Sequence, residues 1–173
     1  MCIRDRYLFA GIFTYGIVYT VWLKRRTWMN IVIGGLAGSF AVLVGSAATG
    51  NTFSPAPLIL SVVLFLWTPP HFWALAISFK DEYAKADIPM LPVVYGDRVT
   101  SQAIFWHTLV LVVLSLSLIF YGMSWIYLLF AVLGGGYFLY CSILLLKEQS
   151  KALARKTFFS SIIHLGLLLL GAM

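Results

Sequence analysis

The sequence is poor in almost everything that lets a chain face water. Only 10% of its 173 residues are charged, and just six are acidic. Soluble domains carry about 25% charged residues, so an ordinary soluble globular domain is excluded. Cysteine is scarce. Cys2 and Cys141 fall in different segments with neither a CxxC nor a Cys/His spacing, which argues against a disulfide framework and against a zinc site. The opening Met-Cys-Ile-Arg-Asp-Arg runs straight into an apolar stretch without a small-residue cleavage pattern, so it does not read as a signal peptide. A net charge of +6 and a pI near 9.5 would suit nucleic acid only if the cations shared a hydrated face. They sit instead in short gaps between apolar runs, and no nucleic-acid partner is expected. What is abundant is hydrophobic side chain, 61% of residues at a mean hydropathy of +0.94. Such a chain takes lipid as its solvent.

A helix needs about 20 apolar residues to cross the hydrocarbon core, where only internally bonded backbone is tolerated. Six runs approach that length: Tyr7 to Leu23, Asn30 to Thr49, Pro57 to Phe79, Ser101 to Tyr121, Trp125 to Leu146, and Thr157 to the end. The expected fold is therefore an all-α, polytopic transmembrane helix bundle forming one domain over residues 1–173. The abrupt start and the stop inside an apolar run lead us to expect a sequence clipped at both ends.

The gaps alternate in character. Lys24, Arg25 and Arg26 occupy the first gap, Lys80, Lys85 and Arg98 the third, and Lys147, Lys151, Arg155 and Lys156 the fifth. The gaps Gly50 to Ala56 and Gly122 to Ser124 are uncharged. Lys and Arg of short loops stay on the cytoplasmic side, so the three charged gaps are expected to share that side. Only Arg4 and Arg6 disagree. Trp22, Trp28, Tyr83, Tyr95 and Trp125 fall near helix ends, as interfacial aromatics do. Gly34, Gly35, Gly38 and Gly45 let neighbours approach the second span closely, and that helix is expected to be buried in the bundle.

The longest hydrophilic segment, Lys80 to Thr100, opens with Lys80, Asp81, Glu82, Lys85 and Asp87. Carboxylates beside lysines at a helix mouth suit a Mg²⁺-bridged diphosphate, with hard oxygens on the metal and ammonium groups on the remaining phosphate charge. A solvated loop with local ion pairs is the bland alternative. The helix feeding this loop contains Trp67-Thr68-Pro69-Pro70-His71-Phe72-Trp73. Two prolines inside a span remove backbone donors, so a kink or unwinding beside a cavity is expected there. His71 follows at membrane depth and is read either as a substrate contact or as a partner for a freed carbonyl. His107 and His164 are read as packing residues. Lys24-Arg25-Arg26 serves either topology or a diphosphate.

Three segments taken together resemble the protohaem IX farnesyltransferase (haem O synthase) family of UbiA-type intramembrane prenyltransferases. They are Tyr-Thr-Val-Trp-Leu-Lys-Arg-Arg-Thr from Tyr19, Trp-Thr-Pro-Pro-His-Phe-Trp-Ala-Leu-Ala from Trp67, and Asp-Glu-Tyr-Ala-Lys-Ala-Asp-Ile-Pro-Met-Leu-Pro-Val-Val from Asp81. Ala154-Arg155-Lys156 is a weaker match, and the likeness covers nearly the whole chain from Tyr7 onward. The resemblance implies a nine-helix bundle of which this chain carries the last six, in a bacterial inner or mitochondrial inner membrane, with the site open to the cytoplasmic or matrix side. It also implies transfer of a farnesyl group from farnesyl diphosphate to protohaem IX (haem B), with a divalent cation, Mg²⁺, as cofactor and a haem A synthase as partner.

The family's second acidic motif corresponds to Asp81, Glu82 and Tyr83. The resemblance casts Asp81 and Glu82 as metal ligands, Lys24, Arg25, Lys80 and Lys85 as diphosphate contacts, Tyr19 and Tyr83 as orienting groups, and His71 as facing the porphyrin. The first motif, of the Asn-Asp-x-x-Asp type, is absent from this sequence. That leaves half a metal site, and the chain alone is expected to be inactive. Two positions depart from the family: Glu82 stands where Asp is commoner, and Asp87 where a small or amide residue is usual. The competing readings are a prenyltransferase for a quinone precursor, a transporter with broken helices, and a non-catalytic membrane subunit or incomplete gene product.

Overall fold

The computed structural model describes residues 2–50 and 53–173. Met1, and Asn51 and Thr52 of the first uncharged gap, lie outside the described residues. The first apolar run becomes helix α1 (Ile3–Phe13), which passes directly into a π-helical segment, Thr14–Leu23. There the backbone bonds reach back five residues, as from the Lys24 N–H to the Tyr19 carbonyl at 2.9 Å. Helices α2 (Asn30–Ala48) and α3 (Pro55–Ser78) follow, then a short α4 (Lys80–Lys85). Next comes α5 (Leu91–Ser117), closed by a 3₁₀ turn, Leu118–Tyr121, and then α6 (Trp125–Lys147) and α7 (Lys151–Ala172). Among the described residues there is no strand.

Local chemistry sets these starts. Proline opens α3 and α5, where a missing N–H costs nothing. The hydroxyls of Ser124 and Ser150 accept from the Tyr127 and Leu153 amides to cap α6 and α7. The α7 cap starts that helix at Lys151 rather than at Thr157, so Lys151, Arg155 and Lys156 lie within the helix. Five helices are long and apolar enough to cross a membrane: α2, α3, α5 with its 3₁₀ turn, α6 and α7. The first expected span is helical as well, but it is divided into α and π pieces of 11 and 10 residues.

Helix α3 is the central post. It packs against α2, α5 and α7, and α6 closes a four-helix ring by contacting both α5 and α7, while α1 lies on the outer side of α2. One core cluster joins Val63, Leu111, Tyr127, Phe138 and Leu168; another joins Trp73, Ile77, Ile104, Leu145 and Ala154. Helices α6 and α7 approach closely at glycine: a Cβ on Gly171 would lie 2.8 Å from the Tyr127 Cα, and one on Gly134 would lie 3.1 Å from the His164 Cα.

Two expectations are corrected here. Helix α2 is not buried in the bundle. It lies between α1 and α3, and only Asn30, Ile31, Gly35, Ser39 and Ser46 of it are buried. Its small residues do bring α3 close, since a Cβ on Gly35 would sit 3.2 Å from the Thr68 Cβ. Nor does α3 unwind at Pro69 and Pro70. It stays helical from Pro55 to Ser78. The two prolines leave the Phe65 and Leu66 carbonyls without their amides, and α2 packs close to the first of them, a Cβ on Gly35 falling 3.4 Å from the Phe65 oxygen.

Candidate functional site

The three charged gaps meet at one end of the bundle. Lys151 at the start of α7 donates to Asp81 in α4 (Nζ to Oδ2, 2.8 Å), and Arg25 and Arg26 share an open groove with Ala84, Asp87, Ile88 and Pro89. Helix α4 is held there by two ion pairs. The second joins Lys80 Nζ to Asp97 Oδ1 at 2.9 Å. Asp97 reaches Lys80 because α5 breaks at Gly96, whose φ of +82° only glycine adopts readily, so the long straight part of the helix restarts at Asp97.

Asp81 and Glu82 occupy the first turn of α4 and are exposed. The Lys151 hydrogen bond, and then its charge, hold the Asp81 carboxyl below the usual carboxylate range, while Asp81 in turn raises the Lys151 ammonium. Among the described residues Glu82, Lys24, Arg25 and Lys85 form no ion pair. Tyr83, the third residue of the motif, turns inward. It packs with Tyr19, Phe72, Ile88 and Val93 around buried Ile31, Ala76 and Met90, and burial raises its phenol.

Asp87 has a different task. Its φ is +52°, the Asp87 amide bonds the Ala84 carbonyl at 3.2 Å, and the Ile88 amide bonds the Tyr83 carbonyl at 3.1 Å. This pair of bonds is a Schellman stop with Asp87 in the left-handed position. Glycine and asparagine adopt this left-handed position most readily, and Asp87 occupies it here through its backbone.

Beneath the charged end lies a cavity of about 150 Å³ lined by Tyr15, Tyr19, Ile31, Gly34, Thr68 and Phe72. Tyr15 and Tyr19 present their rings 5.6 Å apart, and Gly34 makes room for the Tyr19 ring, because a Cβ there would fall 2.8 Å from its Cδ2. The Pro-Pro segment thus contributes Thr68 and Phe72 to the cavity wall. His71 lies on another face of α3. Its ring is stacked between Trp67 (4.2 Å) and Phe158 (4.4 Å), and its Nδ1 lies 2.7 Å from the Ser161 hydroxyl of α7. The structure therefore joins Tyr19 to Tyr83 and gathers Lys24–Arg26, Lys80–Lys85 and α7 at one end, with His71 set in the α3–α7 interface.

Sequence reasoning missed Asp97, Lys151, Thr68, Phe72 and Asn30. Asn30 is buried at 1% exposure, and its side-chain amide holds the Lys24 carbonyl at 3.0 Å, fixing the cationic turn. Ser150 as a cap signal and Gly96 before an acidic residue were the legible hints for Lys151 and Asp97. His107 bonds its own helix at Ala103, and His164 is fully buried between α6 and α7.

Carboxylates, cations and tyrosines of a membrane helix bundle are thus gathered above an apolar cavity. The chain belongs to the UbiA prenyltransferase family, whose match runs over residues 7–163. It is 56% identical over 167 residues to Protoheme IX farnesyltransferase 2 of Paramagnetospirillum magneticum (strain ATCC 700264 / AMB-1), covering 96% of this chain and 58% of that protein. It is 45% identical over 168 residues to Protoheme IX farnesyltransferase 1 of the same strain (95% and 59%). It is 46% identical over 160 residues to Protoheme IX farnesyltransferase of Hahella chejuensis (strain KCTC 2396), covering 92% and 54%. The chain thus spans a little over half the length of these relatives. No solved structure matches it.

Proposed function

We propose that the protein transfers a farnesyl group from farnesyl diphosphate to a vinyl group of protohaem IX, giving haem O. The observation that carries this reading is the stacking of two layers. Asp81, Glu82 and the cations form a hydrated rim, and directly inside it Tyr83 and Tyr19 meet over an apolar cavity. A diphosphate head and an isoprenoid tail need just such a division. The names of the relatives supply the acceptor.

Among the described residues no three His, Cys, Asp or Glu side chains gather as a metal centre, so Asp81 and Glu82 would supply at most one side of a divalent metal site. Asp81 Oδ2 already takes a cation, the Lys151 ammonium, and Glu82 adds a second hard oxygen donor in the same turn. Mg²⁺ commonly uses one or two carboxylates and completes its shell with phosphate oxygens and water. When bound, Mg²⁺ supplies neutralisation of the departing diphosphate. The chain does the rest. Lys24, Arg25 and Lys85 offer further positive charge to the diphosphate, Tyr19 and Tyr83 orient it, and the apolar walls at Ile31 and Phe72 keep water from the developing allylic cation. His71 steadies α3 against α7 behind the wall that Thr68 and Phe72 form. The positive-inside rule supports a cytoplasmic or matrix-side rim.

Labelled farnesyl diphosphate, given to membranes containing the protein together with haem B or with an aromatic quinone precursor, tests the acceptor. Label in hydroxyethylfarnesyl haem is expected. Label in the quinone precursor alone would transfer the assignment to the quinone-directed branch.

A further inference from the structure

We propose that Lys151 is an exchangeable cation of this site: it neutralises Asp81 while the metal is absent and moves to a phosphate oxygen when a metal diphosphate binds. The inference rests on Asp81 being a metal ligand, as argued above, and adds a residue from α7 that lies outside all three motif segments.

Four observations support it. The Lys151 Nζ sits 2.8 Å from Asp81 Oδ2, so the ammonium already holds the carboxylate on which a metal ion would compete with it. The pair is open to water, with side chains 62% and 68% exposed, so little opposes its parting. Parting it does not free α4, because the better-shielded Lys80–Asp97 pair ties the same helix to α5. The backbone at Lys151 also stays in place. Its carbonyl accepts the Ser78 hydroxyl at 3.4 Å, and Ser150 caps the helix it begins. Only a flexible four-carbon stem has to move. The driving force reverses with the ligand. A divalent metal held by Asp81 would repel the ammonium, and a diphosphate bound with it would offer Lys151 new anionic oxygens.

The test measures Mn²⁺ affinity by electron paramagnetic resonance on the purified protein in detergent, with and without inorganic pyrophosphate, in wild type, Lys151→Gln, Lys151→Arg and Asp81→Asn. Removing the competing ammonium in Lys151→Gln should tighten Mn²⁺ alone by roughly threefold, the scale of an exposed ion pair. The same variant should bind Mn²⁺-pyrophosphate roughly threefold more weakly, and Lys151→Arg should follow wild type in both. This opposite sign separates the proposal from simple loosening of α7, which would weaken both. Unchanged or weaker Mn²⁺ binding by Lys151→Gln, with Asp81→Asn impaired, overturns the exchange and leaves Asp81 as a ligand. Wild-type Mn²⁺ affinity in Asp81→Asn overturns both.

Discussion

His71 and Ser161, on helices α3 and α7, fix each other's hydrogen-bond roles. The Ser161 hydroxyl lies 2.6 Å from the Phe158 carbonyl and 2.7 Å from His71 Nδ1. A hydroxyl has one proton, and the carbonyl claims it, so His71 donates from Nδ1 and carries its lone pair on Nε2. The neighbouring Trp67 indole donates to the Ser161 carbonyl at 2.8 Å. Ser161→Ala removes the His71 acceptor and spares the Trp67 bond, so a loss of about 1 kcal/mol is expected, the scale of an interhelical polar contact in a membrane protein. Thermal unfolding in detergent reads it; an unchanged midpoint would show that the contact is dispensable.

Gly34 is a spacing residue for Tyr19. In Gly34→Ala the new methyl falls 2.8 Å from the Tyr19 ring, which has to rotate or withdraw from the cavity wall. If Tyr19 orients the diphosphate, a displaced ring lowers kcat/KM for farnesyl diphosphate by about tenfold. Gly45→Ala, where an added Cβ meets nothing within 4 Å, serves as the control and should leave it unchanged. Equal rates in the two variants would remove Tyr19 from the binding step.

Asp87 ends α4 through its backbone. Asp87→Gly or Asp87→Asn, each at ease with φ near +52°, should keep metal-dependent turnover and stabilise the α4 stop by roughly 0.5–1 kcal/mol. A collapse of Mn²⁺ affinity in Asp87→Asn would make it a ligand instead.

The α4–α7 link has a defined pH window. Asp81 is shifted downward by Lys151, so its contribution is present above the unfolded carboxylate value and is lost as pH falls through the depressed one. Lys151 is shifted upward by Asp81, so its contribution is present below the unfolded lysine value and is lost as pH rises through the raised one. The Asp81–Lys151 pair, followed through the Asp81 carboxylate band in the infrared, should therefore be intact from about pH 6 to 9 and part below about pH 4. Being exposed, the link should also weaken in 1 M salt, where the Debye length falls to about 3 Å. A break near neutral pH would contradict this assignment.

Much of this organisation was legible because hydropathy and charge gaps report directly on helix number and on which ends meet. All six apolar runs are helical, and the three charged gaps lie together. The path of α3 through Pro69 and Pro70 was not legible, because local propensity points to a break there, and the packing of that turn against other helices, Gly35 of α2 among them, is not written in the spacing. The facing of His71 was hidden for a related reason. On a helix Trp67 and His71 share one face and Thr68 and Phe72 another, and only packing decides which face meets α7. Lys151 and Asp97 were missed because each pairs across a long stretch of chain, with Asp81 and Lys80 respectively, so spacing along the sequence carried no sign of it.

The most direct test of the central claim is haem O production from haem B and farnesyl diphosphate by membranes containing the protein, followed by mass spectrometry through removal and restoration of Mg²⁺. Product should appear only with the metal restored, and Asp81→Ala combined with Glu82→Ala should abolish it. Undiminished haem O from that double variant would contradict a role for the acidic rim of α4 in the reaction.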